Sequence, residues 1–108
     1  MLFFFKKNKL IKKFARSTAE ELFSNLPPAI LEKQYDKKNK KMARKANKAF
    51  QGVLDDAVIS VAQFKSVNKL GVYGKAKFHL EFVERLKELG YSDQIAEAIN
   101  EEILIKTP

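Results

Sequence analysis

The sequence contains no cysteine and no tryptophan, and only four glycines and three prolines interrupt its 108 residues. Without cysteine the chain forms no disulfide and offers no thiolate to a metal ion. A single histidine, His79, cannot supply a histidine-based metal cluster. We therefore expect neither a metal nor another cofactor. The few glycines and prolines favour a small number of long elements over many short strands and turns.

Long hydrophobic runs are also absent. No apolar run approaches the roughly 20 residues that a membrane-spanning helix needs. The apolar residues 1–5 come before Lys6, Lys7 and Lys9, whereas a secretory signal has its charges first and a longer apolar stretch after them. Together with the lack of cysteine, this order favours a cytoplasmic protein.

Apolar residues recur at three- and four-residue steps along most of the chain, which is the spacing of one helix face. No segment alternates convincingly with the period of two that a strand requires. The spacing predicts helices over about 9–25, 40–70 and 75–89, a short helix over 28–35, and a last helix that begins after Ser92. We therefore predict an all-α protein, a compact bundle of four or five helices with one long central helix at about 40–70.

The length of the chain suits a single domain. We expect one helical domain over residues 1–108, in which residues 1–8 form a flexible or partner-bound segment. A helix of about 30 residues is about 45 Å long. The predicted long helix must therefore be central, bent or shared with a second copy, so that a homodimer is one alternative to a monomer.

Several local signals predict helix ends and contacts. Gly71 and Gly90 each follow a predicted helix and are expected to cap it in the left-handed conformation. Ser92 is the expected N-cap of the last helix. Glu81 and Arg85 stand four residues apart and are expected to form an ion pair. The predicted core faces of the last two helices comprise Phe78, Phe82, Val83, Leu86, Leu89, Ile95, Ala96, Ile99, Ile103 and Leu104.

The two halves of the chain differ strongly in charge. Residues 1–48 hold 14 Lys or Arg and 4 Asp or Glu, whereas residues 49–108 hold 7 and 9. The net charge of +8 therefore arises in the first half. A basic surface attracts polyanions, such as nucleic acid or the headgroups of anionic lipids.

Two basic segments are candidates for binding a polyanion, one around the start of the long helix and one on the first helix. Their residues are Lys37, Lys38, Lys40, Lys41, Arg44, Lys45, Lys48, Lys12, Lys13 and Arg16. Lysine makes point contacts with phosphate rather than the bidentate contacts of base-specific reading. The pattern predicts non-specific binding to nucleic acid as the leading function. A solvated helix face without a ligand is the alternative.

The apolar tip of the chain supports a different hypothesis. Leu2, Phe3, Phe4 and Phe5 precede five lysines between residues 6 and 13, a composition typical of segments that lie on an anionic membrane. These residues are therefore candidates for contact with a membrane or a protein partner. Closure of the phenylalanines over the end of the bundle, or over a groove in a dimer, is the alternative.

The sequence predicts no catalytic residue. The acid pairs at 20–21, 55–56 and 101–102 are adjacent, and neighbours on a helix point about 100° apart, so they do not converge on one substrate atom. Gly71–Gly74 lacks the strand and the Lys-Ser/Thr of a nucleotide-binding loop. We therefore expect a non-enzymatic binding protein. A protein–protein adaptor, whose basic strip meets an acidic partner or only aids solubility, is the second interpretation.

Overall fold

A computed structural model of the chain describes residues 2–29 and 40–107, with side chains described for residues 6–29 and 50–107. Four helices make up most of these residues, and the described ranges contain no strand. They are α1 (Leu2–Asn25), α2 (Lys40–Val67), α3 (Val72–Glu88) and α4 (Asp93–Lys106). The predicted all-α bundle is confirmed, and so is its long helix, which has 28 residues.

Two helices begin earlier than the apolar spacing predicts. Helix α1 starts at Leu2 rather than near Lys9, because no glycine or proline interrupts the first 25 residues and lysine and leucine are good helix formers. The backbone of residues 2–8 is therefore helical. Helix α3 begins at Val72 rather than near Lys75. The short helix predicted over 28–35 is described only at residues 28–29, and the rest of it lies outside the described residues.

Helices α1 and α3 run parallel and form the most closely packed pair of the described helices. Their contacts advance together along both helices, from Arg16 beside Glu81 to Glu20 beside Arg85. Helix α2 runs the opposite way along α1, and α4 runs the opposite way along α3. The α1 N-terminus, the α2–α3 turn and the α4 C-terminus therefore lie at the same end of the bundle.

The core lies where α1, α3 and α4 meet and is covered on one side by α2. Its aromatic centre is formed by Phe78 and Phe82 of α3, which are fully buried. Phe14 of α1 stacks on Phe64 of α2, with ring centroids 4.0 Å apart. The buried hydrophobic side chains are Ile11, Ala15, Ala19, Leu22, Leu26, Leu54, Val61, Leu70, Phe78, Phe82, Leu86, Tyr91, Ile95, Ala96, Ile99 and Ile103. Leu104, expected at the edge of the core, is instead exposed.

The helix ends confirm two of the three predicted caps. Gly90 has a φ of 109° after α3, and the Ser92 hydroxyl accepts a hydrogen bond from the Ile95 amide at 3.3 Å. The prediction for Gly71 is wrong. Lys69 takes the left-handed conformation, with a φ of 48°, because the chain already reverses there, and Gly71 is an extended residue before α3.

Ion pairs join the C-terminal half of α1 to α3. Arg16 contacts Glu88 at 2.6 Å, and Arg85 contacts Glu20 at 2.9 Å. The predicted pair between Glu81 and Arg85 is wrong, since Glu81 contacts Arg16 and Lys77 while Arg85 contacts Glu20 and Glu88. The neighbouring helix thus brings other charged partners close to both side chains.

Two leucine truncations test the core. Leu86→Ala removes a fully buried side chain of α3, so we expect a loss of about 2–5 kcal/mol in the free energy of unfolding. Leu104→Ala makes the same change on α4 at a side chain that is 45% exposed, and we expect less than about 1 kcal/mol. Urea unfolding followed by circular dichroism measures both. Equal losses would contradict the position of the core.

Candidate functional site

Three segments that contain no acidic residue meet at one end of the bundle. They span residues 2–19, 57–80 and 103–107, and they belong to α1, to the α2–α3 hairpin and to the end of α4. We call this region the lysine end. Its basic residues are Lys6, Lys7, Lys9, Lys12, Lys13, Arg16, Lys65, Lys69, Lys75, Lys77 and Lys106. The fold thus combines basic residues that are far apart in the sequence.

Direct contacts hold the three segments together. The Lys7 ammonium donates to the Lys69 carbonyl at 3.4 Å, which places the start of α1 beside the α2–α3 turn. The Lys65 ammonium donates to the Thr107 carbonyl at 2.7 Å, which joins α2 to the end of α4. The side chain of Ile11 lies close to Gly74 at the start of α3. All four described helices therefore contribute to this end.

Most of these cations pair with no carboxylate among the described residues. In the described part of the chain, Arg16, Lys77 and Lys106 form ion pairs with carboxylates. No ion pair to a described carboxylate involves Lys6, Lys7, Lys9, Lys12, Lys13, Lys65, Lys69 or Lys75. The opposite end of α3 differs, because Lys87 there lies within 3.8 Å of both Asp93 and Glu97. The positive charge is therefore concentrated at the lysine end.

Exposed apolar side chains lie among these lysines. Val67 is 79% exposed and Val72 is 88% exposed, on either side of the turn that contains Lys69. Tyr73 is exposed beside Val72, and Leu10 of α1 is 45% exposed. Apolar groups that project from a cationic surface are typical of proteins that insert side chains between lipid headgroups.

The start of α3 adds to the positive potential of the lysine end. Its N-cap is Gly71, which has no side chain to accept a hydrogen bond from the first-turn amides, and its first turn contains no acid. Helix α4 differs, since Ser92 caps it and Asp93 lies in its first turn. The partial positive charge of the α3 N-terminus is thus not offset by a local side chain.

A buried polar cluster lies beneath this surface, and it centres on Lys65, which is 6% exposed. Its ammonium donates to the Thr107 carbonyl, to the Thr107 hydroxyl at 2.9 Å and to His79 Nε2 at 2.9 Å. Because an ammonium only donates, Nε2 must accept, and the His79 proton lies on Nδ1. That nitrogen donates to Asn100 Oδ1 at 2.6 Å. One cation thus joins α2, α3 and α4.

Burial changes the protonation of this cluster. Desolvation, reinforced by the charge of Lys75, lowers the pKa of Lys65 to about 8. Desolvation also lowers the pKa of His79, against the opposing effect of the Asn100 hydrogen bond. At neutral pH, Lys65 is therefore a cation and His79 is neutral. The face of the Phe78 ring lies 5.8 Å from the Lys65 ammonium and offers it a weak cation–π contact.

Only three of the predicted polyanion-binding residues have described side chains. Lys12 and Lys13 are exposed at the lysine end, whereas Arg16 is engaged in ion pairs with α3. Lys37 and Lys38 lie outside the described residues. The remaining five, Lys40, Lys41, Arg44, Lys45 and Lys48, lie on the α2 backbone without described side chains.

The start of α2 lies far from the lysine end. Phe64 of α2 is level with Phe14 of α1, and Val53 is level with Asn25 at the end of α1. A helix rises about 1.5 Å per residue, so Lys48 is about 24 Å along α2 from Phe64. The part of the basic strip that lies on the described backbone of α2, residues 40–48, therefore belongs to the opposite end of the bundle.

Three further predictions concern the apolar tip of the chain, membrane-spanning helices and metal sites. Leu2, Phe3, Phe4 and Phe5 form the first turn of α1, and their side chains are not described. None of the described helices has both the length and the hydropathy of a membrane span. Among the described residues, no group of three potential metal ligands comes together.

Sequence reasoning missed Lys69 and Lys75 as members of a charged surface and Lys65 as the buried cation beneath it. The second half of the chain has a net negative charge, and this average hides the absence of acids between residues 57 and 80. The acid-free stretch from residue 57 to residue 80 was the feature of the sequence that could have pointed to these lysines.

Comparison of the chain with models of known families, with curated proteins and with solved structures finds no match.

The buried ammonium predicts a specific dependence of stability on pH. Between pH of about 8 and about 10.5, the folded protein has lost the Lys65 proton that the unfolded chain still holds. The free energy of unfolding should therefore rise with pH in this window by the contribution of Lys65, and the rise should be missing in Lys65→Met. Denaturant unfolding at several pH values measures both slopes. If the free energy of unfolding depends on pH in the same way in both proteins, Lys65 is not desolvated.

Proposed function

We propose that this protein is a non-enzymatic binding protein whose lysine end docks on an anionic membrane surface. The observation that carries the proposal is the combination of exposed valines with lysines that pair with no described carboxylate, in segments whose sequence contains no acidic residue. Phosphate and carboxylate groups of lipid headgroups supply the opposite charge, and the space between headgroups accepts small apolar side chains.

The electrostatic part of such binding is substantial. Each lysine near an anionic membrane contributes about 1 kcal/mol, so three lysines in contact contribute about 3 kcal/mol. Lys12 and Lys13 of α1 and Lys69 of the α2–α3 turn are exposed. In the described part of the chain no acidic side chain pairs with these lysines. Binding to a lipid headgroup therefore breaks no ion pair there.

The apolar part favours lipid over nucleic acid. The phosphate backbone of nucleic acid offers no apolar contact for Val67 and Val72, and non-specific binding of single strands depends on several stacking aromatics. Tyr73 is the one exposed aromatic at the lysine end among the residues with described side chains. Non-specific binding to nucleic acid through the strip from Lys37 to Lys48 stays a prediction, and the matched variants below separate it from lipid binding.

The first test replaces lysines at the lysine end. The triple variant Lys12→Gln, Lys13→Gln, Lys69→Gln should lose most of its binding to vesicles of phosphatidylcholine and phosphatidylglycerol mixed at about three to one. Vesicle co-sedimentation measures the partition, and phosphatidylcholine vesicles alone should bind no protein. The matched control is Lys41→Gln, Lys45→Gln, Lys48→Gln, which removes the same charge from the start of α2.

The control decides between the two surfaces. We expect it to bind vesicles within about twofold of the unchanged protein, because the start of α2 lies at the other end of the bundle. Equal losses in both triple variants would show that only net charge matters and would contradict docking through the lysine end. Nuclease-resistant binding to an acidic protein, without vesicle binding, would support the adaptor interpretation instead.

A second test addresses the exposed valines. Val67→Ser with Val72→Ser leaves the charge unchanged and removes apolar groups that are already solvated, so the fold should keep its stability. We expect at least a threefold loss of vesicle partition that persists at high salt, where the lysine contribution is screened. An unchanged partition would contradict apolar insertion. The affinity for duplex DNA should not respond to this change.

A further inference from the structure

A cleft at the lysine end is lined in part by the buried Lys65. Its volume is about 260 Å³, and its described lining contains three lysines, Lys65, Lys75 and Lys106, and no acidic residue. Ser66 and Thr107 add hydroxyl groups, and Ala62 and Leu70 complete the lining. Three sequence-distant elements, α2, the start of α3 and the end of α4, therefore form one strongly cationic recess.

The charge of Lys65 is not neutralised within the described part of the protein. All three of its ammonium hydrogens are used, but their acceptors are a carbonyl, a hydroxyl and a neutral imidazole. A buried cation normally has an anionic partner, since removing a charge from water costs several kcal/mol. Lys75 increases this cost, because its own charge repels that of Lys65.

The other two lysines of the cleft remain available to a ligand. No carboxylate in the described ranges pairs with Lys75. The Lys106 ammonium lies 3.5 Å from Glu102 and 3.7 Å from Asp55, and it is a surface side chain. Such long, exposed ion pairs contribute little and are readily exchanged for a stronger partner. The described lining thus offers an anion two lysines besides the fixed charge of Lys65.

We infer that this cleft binds a phosphoryl group, either as free phosphate or as a phosphomonoester. A tetrahedral dianion presents several oxygens to donors that converge from different directions, and Lys75, Lys106 and Ser66 belong to three different elements of the recess. The inference does not rest on the proposed membrane docking, since free phosphate fits the same donors without a bilayer.

Titration calorimetry of the 108-residue chain with inorganic phosphate tests the inference. The principal variant is Lys75→Gln, which lies at the start of α3 outside the hydrophobic core and should fold normally. We expect its affinity for phosphate to fall at least tenfold. Lys87→Gln makes the same charge change at the opposite end of α3 and should bind within twofold of the unchanged protein. Equal affinity of all three proteins would overturn the site.

A second variant addresses the buried cation itself. Lys65→Met keeps an unbranched side chain that is one atom shorter and removes its charge, so phosphate affinity should fall at least tenfold if the variant folds. Where it does not fold, the result for Lys75→Gln alone decides.

Soluble ligands then separate the two sources of the phosphoryl group. Inorganic phosphate and a short-chain phosphatidic acid below its micelle concentration both carry a dianion, whereas short-chain phosphatidylcholine does not. Tighter binding of phosphatidic acid than of phosphate assigns the cleft to a lipid headgroup, and equal binding assigns it to free phosphate. Equal binding of phosphatidylcholine and phosphatidic acid would overturn recognition of a phosphoryl group.

The proposed function and the phosphoryl site can fail separately. Loss of vesicle docking with phosphate binding retained would reject only the proposed function.

Discussion

The parallel packing of α1 against α3 is the constraint on which the charge distribution of the molecule depends. Because the two helices run in the same direction, the start of α1 lies beside the start of α3, and Lys7 reaches the carbonyl of Lys69. The ion pairs of Arg16 and Arg85 fix the register further along the same interface. An antiparallel arrangement would place the lysines of α1 beside Glu84 and Glu88 and would neutralise them.

The Lys65 cluster gives the same end of the bundle a second constraint. A leucine at this position would pack in the core without an unsatisfied charge, and buried ion pairs are often neutral or worse for stability than apolar residues of similar size. Lys65 instead joins three helices through neutral acceptors at a cost in desolvation. That cost is understandable if the positive charge serves a ligand. The cleft that Lys65 lines is therefore the best candidate for a binding site apart from the exposed surface of the lysine end.

Much of the fold follows from the sequence, but the candidate site does not. Helical spacing predicts the long helix and the buried faces of α3 and α4, because a helix must cover its apolar stripe wherever it lies. Ser92 and Gly90 act through local geometry and are equally predictable. The left-handed residue at Lys69 and the partners of Glu81 depend on how neighbouring helices meet, and local pattern does not contain this information. The grouping of Lys69 and Lys75 with the lysines of α1 likewise depends on the packing of the helices and not on local charge density.

Docking through one defined end of the bundle is the central claim, and backbone amide signals report on it residue by residue. The most direct measurement is the change in amide chemical shifts when the isotope-labelled protein meets small bicelles that contain anionic lipid. Docking through the lysine end predicts chemical-shift changes confined to residues 6–13 and 66–75, with residues 83–97 at the opposite end unaffected. Changes centred on residues 40–48, or spread evenly over the four helices, would contradict it.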